Sequence, residues 1–252
     1  MKASARALAV PVTRGREPVS GLPLPPVLLR AGGAHFRADA DFVAGGRRDA
    51  RRLAELGLLD EGTSLLDLGC GAGRLLIGIA AELGAIRSYR GIDVDQRVIR
   101  WSSRHLAPRA PFAAFGALDV RNARYNPSGA ALDDRFRLPV ADRAVDTVYA
   151  YSLFSHMTAG DVGVYLGEIR RVLDAGGSAV FTAFVEDGVP DEAVNPPGYG
   201  PLAWRGALHC VRYERGYLGA LLDAAGLTVT GFRHGGETDG QSLYVVTPAV
   251  PT

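Results

Sequence analysis

Short apolar runs alternate with longer segments along most of the chain. The short runs are typical of buried strands, and in the longer segments apolar residues recur every three or four positions, as on one face of a helix. This pattern predicts strands at 64–68, 89–94, 112–118, 145–151, 178–185, 227–233 and 242–247, and helices at 73–83, 96–106, 161–173 and 213–225.

The order of these elements indicates the fold. Strands that alternate with helices form right-handed crossovers and a parallel sheet with helices on both faces. No helix separates the last two strands, so we expect them to form an antiparallel hairpin at the edge of the sheet. The prediction is an α/β fold with a seven-stranded, mostly parallel sheet.

The residues before the first strand follow a different pattern. Prolines are frequent near the N-terminus and predict an extended arm. Helical spacing follows it and predicts a helical cap, in which Gly45 and Gly46 are expected to divide two helices. We therefore predict an arm at 1–34, a cap at 35–60 and a main domain at 61–252.

A long loop with several prolines and glycines follows the fifth predicted strand, at 185–210. Open α/β sheets bind ligands at the carboxyl ends of their strands, and long loops there are usually functional. We expect this loop to act as a lid over that edge. Asn195-Pro196-Pro197 within it is interpreted as a turn.

Composition and charge exclude several classes of protein. The 252 residues carry a net charge of +1, so there is no broad basic field and no nucleic-acid partner is expected. No apolar run is long enough to span a membrane. Cys70 and Cys210 have no metal or disulfide spacing, which fits a reducing cytoplasm, and His35, His209 and His234 are dispersed, so no metal is expected.

The turn after the first predicted strand carries the main functional signal, with glycines at Gly69, Gly71 and Gly73. Glycines allow a sharp turn and close approach of a ligand. A dinucleotide-binding turn needs another glycine where this chain has Arg74, and a phosphate-binding loop needs a Gly-Lys-Ser/Thr sequence that is absent here. Asp67, before the turn, would repel a pyrophosphate but attract a cation or an ammonium group.

The sequence Asp67-x-Gly69-x-Gly71-x-Gly73 resembles the first motif of class I S-adenosylmethionine-dependent methyltransferases. In that family an acid at the end of the second strand binds both ribose hydroxyls, and Asp93 is the matching position, with Val94 against the adenine. Leu118-Asp119-Val120 resembles the end of the third strand, where an acid accepts from the adenine amino group. Further matches at 138–148 and 168–177 extend the resemblance over about 62–184.

The resemblance implies a Rossmann-like fold, S-adenosylmethionine as the cofactor and S-adenosylhomocysteine as the product. The residues it assigns to cofactor binding are Asp67, Gly69, Cys70, Gly71, Gly73, Asp93, Val94, Asp119, Val120 and Tyr151. The chain departs from the family pattern in a longer loop at 121–137, which is either part of the substrate wall or a surface excursion.

The expected reaction is metal-independent methyl transfer to a small-molecule acceptor, interpreted as O-methylation of a bacterial secondary metabolite or glycolipid. His156 follows the fourth strand and is either a general base for an acceptor hydroxyl or a structural residue. The residues expected to cover the acceptor are His35, Phe36, Phe154 and Trp204. Two alternatives stay open: a protein that binds the cofactor without methylating, and a methyltransferase for RNA or protein. The sequence leaves the oligomeric state open, a homodimer included.

Overall fold

The architecture is taken from a computed structural model that describes residues 15–30, 33–133 and 135–250. The helices of this part of the chain are α1 (Asp39–Glu55), α2 (Arg74–Glu82), α3 (Gln96–His105), α4 (Ala159–Val172) and α5 (Arg215–Ala224). Its strands are β1 (Ser64–Leu68), β2 (Ser88–Asp93), β3 (Ala113–Ala117), β4 (Val145–Ala150), β5 (Leu173–Glu186), β6 (Glu192–Val194), β7 (Val211–Glu214), β8 (Leu227–Arg233) and β9 (Ser242–Pro248).

The strands form one sheet whose first half is parallel, in the order β3-β2-β1-β4-β5. Beyond β5 the sheet divides, because β9 pairs antiparallel with Ala179–Ala183 and β7 pairs parallel with Phe184–Glu186. Strand β8 lies antiparallel to β9. The predicted mostly parallel sheet with a final antiparallel hairpin is confirmed, and the carboxyl ends of β1, β2 and β4 meet at one edge.

The described part of the sheet has nine strands, so the predicted number of seven was wrong. The two additional strands are β6, inside the predicted lid loop, and β7, whose last residues were assigned to the following helix. Each has only three or four residues, and a segment that short shows no periodicity. They pair with each other antiparallel and extend the sheet beyond the end of β5.

Two apolar layers cover the sheet, one on each face. Along β1 and β4, Leu66 and Val148 pack into the layer that contains α4 and α5. Their neighbours Leu65 and Tyr149 pack into the layer that contains α1, α2 and α3. This alternation is the two-residue period of a strand that is buried on both faces, and it confirms the helices predicted on each side.

A single helix, α1, runs through Gly45 and Gly46, so the prediction of two helices was wrong. The glycines serve close packing of α1 on α2. A Cβ atom added at Gly78 of α2 would lie 2.0 Å from the carbonyl oxygen of Gly46, and one added at Gly46 would lie 2.3 Å from that of Arg74. The two helix backbones therefore touch, and only glycine fits at these two positions.

Replacing Gly78 by alanine is expected to lower the free energy of unfolding by about 1–3 kcal/mol, because overpacking forces the two helix backbones apart. The control is Gly163→Ala in α4, where an added Cβ meets nothing within 4 Å. There the higher helix propensity of alanine is expected to raise the free energy of unfolding by up to about 1 kcal/mol. Urea unfolding measures both values, and equal effects at the two sites would contradict the packing role.

The described part of the predicted arm packs against the helical cap. Leu22 and Leu24 are buried in the same layer as α1, and the Leu24 amide donates to the Gly15 carbonyl at 2.9 Å. Residues 1–14 and 31–32 of the predicted arm lie outside the described residues. Within the described residues, no helix is both long and apolar enough to cross a membrane.

Candidate active site

A cavity of about 350 Å³ lies at the carboxyl ends of β1, β2 and β4, beside the glycine-rich turn. The turn requires glycine for its backbone conformation, since φ is +73° at Gly69, +52° at Gly71 and +79° at Gly73. A Cβ added at Gly71 would meet no atom within 4 Å, whereas one at Gly73 would lie 2.5 Å from Leu106 Cδ1. Gly69 and Gly71 line the cavity, and Gly73 instead allows α2 to begin close to α3.

Asp93 ends β2 and lines the cavity, together with Val94. One carboxylate oxygen accepts from the Gly71 amide at 2.8 Å and the other from the Asp95 amide at 2.8 Å. Burial raises the pKa of Asp93, and these amide hydrogen bonds oppose the rise. Each oxygen keeps a lone pair, so the carboxylate is held in place and can still accept from two vicinal hydroxyls.

Asp67 lies beneath the turn and is only 3% exposed. Its carboxylate accepts a hydrogen bond of 2.5 Å from the Tyr89 hydroxyl. Burial raises the pKa of Asp67 to about 7, although the hydrogen bond from Tyr89 and the charge of Arg74 lower it. A buried carboxylate of this kind favours a cation beside it, because the attraction to the cation replaces the solvation that the carboxylate has lost.

One wall of the cavity includes Arg74, which forms a buried ion pair with Asp49 of α1. The Arg74 guanidinium also lies over two aromatic rings, 4.7 Å from the centroid of Phe36 and 5.2 Å from that of Tyr151. Burial alone would lower the pKa of Arg74, but the charge and hydrogen bond of Asp49, together with the nearby Tyr149 and Tyr151, outweigh it and the pKa is raised. Phe36, Arg74 and Tyr151 all line the cavity.

His156 lines the same cavity and is held by its surroundings. Its Nδ1 lies 3.0 Å from the Leu208 carbonyl, which makes Nδ1 the protonated nitrogen and leaves the lone pair on Nε2. Its own carbonyl accepts from Asn122 Nδ2 at 2.9 Å, and Tyr125 packs edge-on at 5.5 Å between ring centroids. Burial lowers the pKa of His156 to about 4, so the imidazole is neutral near pH 7.

The long loop at 121–137 forms part of the cavity wall through Asn122, Tyr125 and Leu132. Sequence reasoning left its role open, because its polar residues are equally typical of a surface excursion. The start of α4 contributes Asp161 and Tyr165 to the same wall. Sequence reasoning did not name these two, which lie on one face of the helix at a spacing of four residues.

Cys70, Val120 and the glycines apart from Gly73 also line the cavity, as the resemblance implies. Four other predicted site residues lie elsewhere. Asp119 is exposed and lies 3.4 Å from Asn126 Nδ2, and His35 is exposed and bonded to Asp239. Phe154 is fully buried against Phe181. Their predicted roles, adenine binding and acceptor cover, stay predictions.

The fourth of these residues, Trp204, donates to the Tyr199 carbonyl at 2.6 Å and packs on Phe184 rather than on the cavity. Leu208 belongs to the predicted lid, and its carbonyl accepts a hydrogen bond from His156, which lines the cavity. Across the ranges the structure describes, no three His, Cys, Asp or Glu side chains are grouped as a metal site would require. Metal independence stays a prediction.

Comparison with known proteins agrees with this geometry. Residues 66–179 match the family model described as a methyltransferase domain. Among solved structures, the chain is similar to the [4+2]-cyclase SpnF (TM-score 0.56, 20% identity, 81% of each chain covered).

Two further solved structures are similar. One is the 1,6-didemethyltoxoflavin-N1-methyltransferase of Burkholderia thailandensis, with bound 1,6-didemethyltoxoflavin and S-adenosylhomocysteine (TM-score 0.52, 15% identity, covering 84% of this chain and 80% of that chain). The other is the geranyl diphosphate C-methyltransferase of Streptomyces coelicolor A3(2) (TM-score 0.56, 12% identity, 88% of each chain covered). The chain therefore contains a match to a methyltransferase domain at 66–179 and has the fold of the methyltransferases whose motifs its sequence resembles.

Proposed function

We propose that the protein transfers a methyl group from S-adenosylmethionine to a hydroxyl group of a small-molecule acceptor. The observation that carries this proposal is the position of His156. It lines the same cavity as the glycine-rich turn and Asp93, and its bond from Nδ1 to the Leu208 carbonyl leaves Nε2 to accept a proton. The volume of the cavity, about 350 Å³, and the two methyltransferases of small molecules among the similar structures support a small acceptor. A bacterial secondary metabolite or glycolipid is the acceptor class we favour.

The residues of the cavity fit the cofactor. Asp93 has an accepting lone pair on each oxygen for the ribose hydroxyls, and Val94 offers an apolar surface for the adenine. Asp67 provides a buried negative charge for the cationic methionine end, while Gly71 leaves room where a Cβ would project. When bound, the cofactor supplies an activated methyl group and a neutral leaving thioether.

The chain then has to orient the acceptor and accept its proton. Orientation of two reactants in one cavity is worth about 7–11 kcal/mol. His156 Nε2 accepts the hydroxyl proton while the bond from Nδ1 to the Leu208 carbonyl fixes the ring. Because its pKa is about 4, the imidazole stays unprotonated through the neutral range, and it becomes protonated only in acid.

A second candidate is a protein that binds the cofactor without transferring its methyl group. The observation in its favour is the similarity to SpnF, which is a [4+2]-cyclase. Release of S-adenosylhomocysteine distinguishes the two, because only methyl transfer produces it. A methyltransferase for RNA or protein is less favoured, since the net charge is +1 and the cavity is small.

Replacing His156 by glutamine is expected to lower kcat about 100-fold at neutral pH, as loss of a general base does. The affinity for S-adenosylmethionine should stay within about twofold of the wild type, because glutamine keeps the ring's hydrogen-bonding capacity and size. The measurement is release of S-adenosylhomocysteine with pools of hydroxylated small molecules.

The matched control is His234→Gln, a histidine that bonds to the Val185 carbonyl outside the cavity. It should leave kcat unchanged. Full turnover of His156→Gln would refute the role as a base. Binding of S-adenosylmethionine with no release of S-adenosylhomocysteine from any pool would favour the second candidate.

A further inference from the structure

A second cavity, of about 420 Å³, lies beside the cofactor cavity and is lined by four arginines. Arg48, Arg51 and Arg52 come from the last two turns of α1, where spacings of three and four residues bring them to one side of the helix. Arg233 is the last residue of β8. We call this cavity the arginine cleft.

The positive charge of the arginine cleft exceeds the negative charge of its wall. Glu55 and Glu237 are its lining carboxylates, against four guanidinium groups. Glu237 is already shared between Arg52, at 2.7 Å, and Arg233. The wall therefore has an excess of two positive charges.

The remaining carboxylates near the cleft are shared as well. Asp49 pairs with Arg74 and Arg52, so its contact with Arg48 is long, at 3.5 Å. Glu82 pairs with both Arg47 and Arg51. The side chains of Arg48 and Arg51 are 58% and 56% exposed, which leaves donors on both guanidinium groups facing solvent.

One buried donor also lacks a partner. Arg52 is 13% exposed, and its two terminal nitrogens bond to Glu237, Asp49 and the Tyr149 hydroxyl. Its Nε is buried and has no hydrogen-bond partner among the described residues. An unpaired buried donor is costly, so Arg52 has hydrogen-bonding capacity that the described residues leave unused.

The arginine cleft is separated from the cofactor cavity by one layer of side chains. Tyr151 and Thr238 line both cavities. The Tyr151 hydroxyl lies 2.9 Å from Thr238 Oγ1 and 3.1 Å from Glu237, the carboxylate that holds Arg52 and Arg233. An anion that displaces these arginines would therefore also change the hydrogen bonds of Tyr151, which lines the cofactor cavity.

We propose that the arginine cleft binds a group of the phosphate class with two or more negative charges beside the cofactor cavity. Guanidinium groups bind phosphate oxygens in a bidentate way, and the excess of two positive charges matches a doubly charged group. A nucleic-acid backbone fits less well, because Glu55 and Glu237 interrupt the positive surface and would repel a continuous run of phosphates. The group is either part of the acceptor or a free phosphate or diphosphate.

Calorimetry with inorganic phosphate and with pyrophosphate tests the site directly. The titrations use the 252-residue chain at constant ionic strength, with sodium chloride as the reference salt. The wild type is expected to bind pyrophosphate, and Arg48→Gln with Arg51→Gln is expected to weaken binding about tenfold or more. Arg52 and Arg233 are left in place because they hold Glu237.

The matched control is Arg100→Gln, an exposed arginine of α3 outside the cleft, which should bind as the wild type does. If the double variant melts at a lower temperature without ligand, Arg48→Gln alone takes its place. No binding by the wild type at millimolar pyrophosphate, or equal binding by the cleft variant and the control, would overturn the proposal.

A second arm identifies the source of the anion and rests on the proposed methyl transfer. If the group belongs to the acceptor, treating the acceptor pool with a phosphatase removes the release of S-adenosylhomocysteine, and Arg48→Gln raises KM while kcat is unchanged. If it is a free anion, phosphatase treatment leaves turnover intact and added pyrophosphate changes it. Either result supports an oxyanion in the cleft. The calorimetric titrations test the site independently, even where no methyl transfer is found.

Discussion

Replacing Asp93 by alanine is expected to weaken the binding of S-adenosylmethionine by about 100-fold or more, because each hydrogen bond to a charged group contributes about 1.5–3 kcal/mol and the ribose has two hydroxyls. S-adenosylhomocysteine should lose affinity by the same factor, since the two molecules share the ribose. Calorimetry with each molecule measures both values.

Two further variants separate the ribose contact from damage to the turn. Alanine also leaves the Gly71 and Asp95 amides without their acceptor. Asp93→Asn keeps the size of the side chain and one accepting oxygen, so it should lose less affinity than alanine while melting closer to the wild type. Asp223→Asn, an exposed acid of α5, is the matched control and should bind as the wild type does. Unchanged binding in Asp93→Ala would show that the ribose lies elsewhere.

The fold was predictable from the sequence wherever the signal is local. Strand β1 is a short apolar run, and the turn directly after it has glycines at positions where the backbone φ is positive. The two signals are adjacent in the sequence. Asp93 was assigned by its match to the second-strand motif of the methyltransferase family, and the parallel pairing of β1 and β2 places it at the same edge as the turn. Cofactor-site positions on β1 and β2 therefore needed no knowledge of distant contacts.

The parts that were missed depend on contacts between distant segments. Asp49 and Arg74 are 25 positions apart, and nothing in either neighbourhood indicates that they pair. The sequence alone indicates that Gly46 interrupts a helix. Its actual role is close contact with α2, which is a different segment of the chain. Phe154 shows the same limit, because an apolar residue after a strand gives no information about which side of the loop it faces.

The acidic residue under the turn makes the stability of the protein depend on pH in an unusual direction. Asp67 has a folded-state pKa of about 7, well above that of an ordinary aspartate, because burial disfavours its charge. Between about pH 4 and pH 7 the folded protein thus holds a proton that the unfolded chain has released. The free energy of unfolding contributed by this group falls as the pH rises through that window, by about 4 kcal/mol in total.

Asp67→Asn removes this dependence while the amide oxygen still accepts from Tyr89. Without ligand, the variant and the wild type should be equally stable near pH 4, and the variant should be more stable by about 4 kcal/mol at pH 8. Urea unfolding at intervals of one pH unit measures the difference between the two, in which the titration of Asp93 and other shared groups cancels. A difference that stays constant from pH 4 to pH 8 would show that Asp67 titrates as an exposed aspartate does.

Binding of the cofactor should depend on pH in the opposite direction. The ionised carboxylate of Asp67 attracts a cation, so the affinity of the wild type for S-adenosylmethionine should rise as the pH increases through about 7, with release of a proton on binding. In Asp67→Asn the affinity should be lower at pH 8 and nearly independent of pH between 6 and 8. Calorimetry in two buffers of different ionisation enthalpy counts the protons released. Because the same carboxylate destabilises the free protein and favours the cationic ligand, opposite pH slopes for stability and affinity are the combined signature of a buried acid that is built to bind a cation.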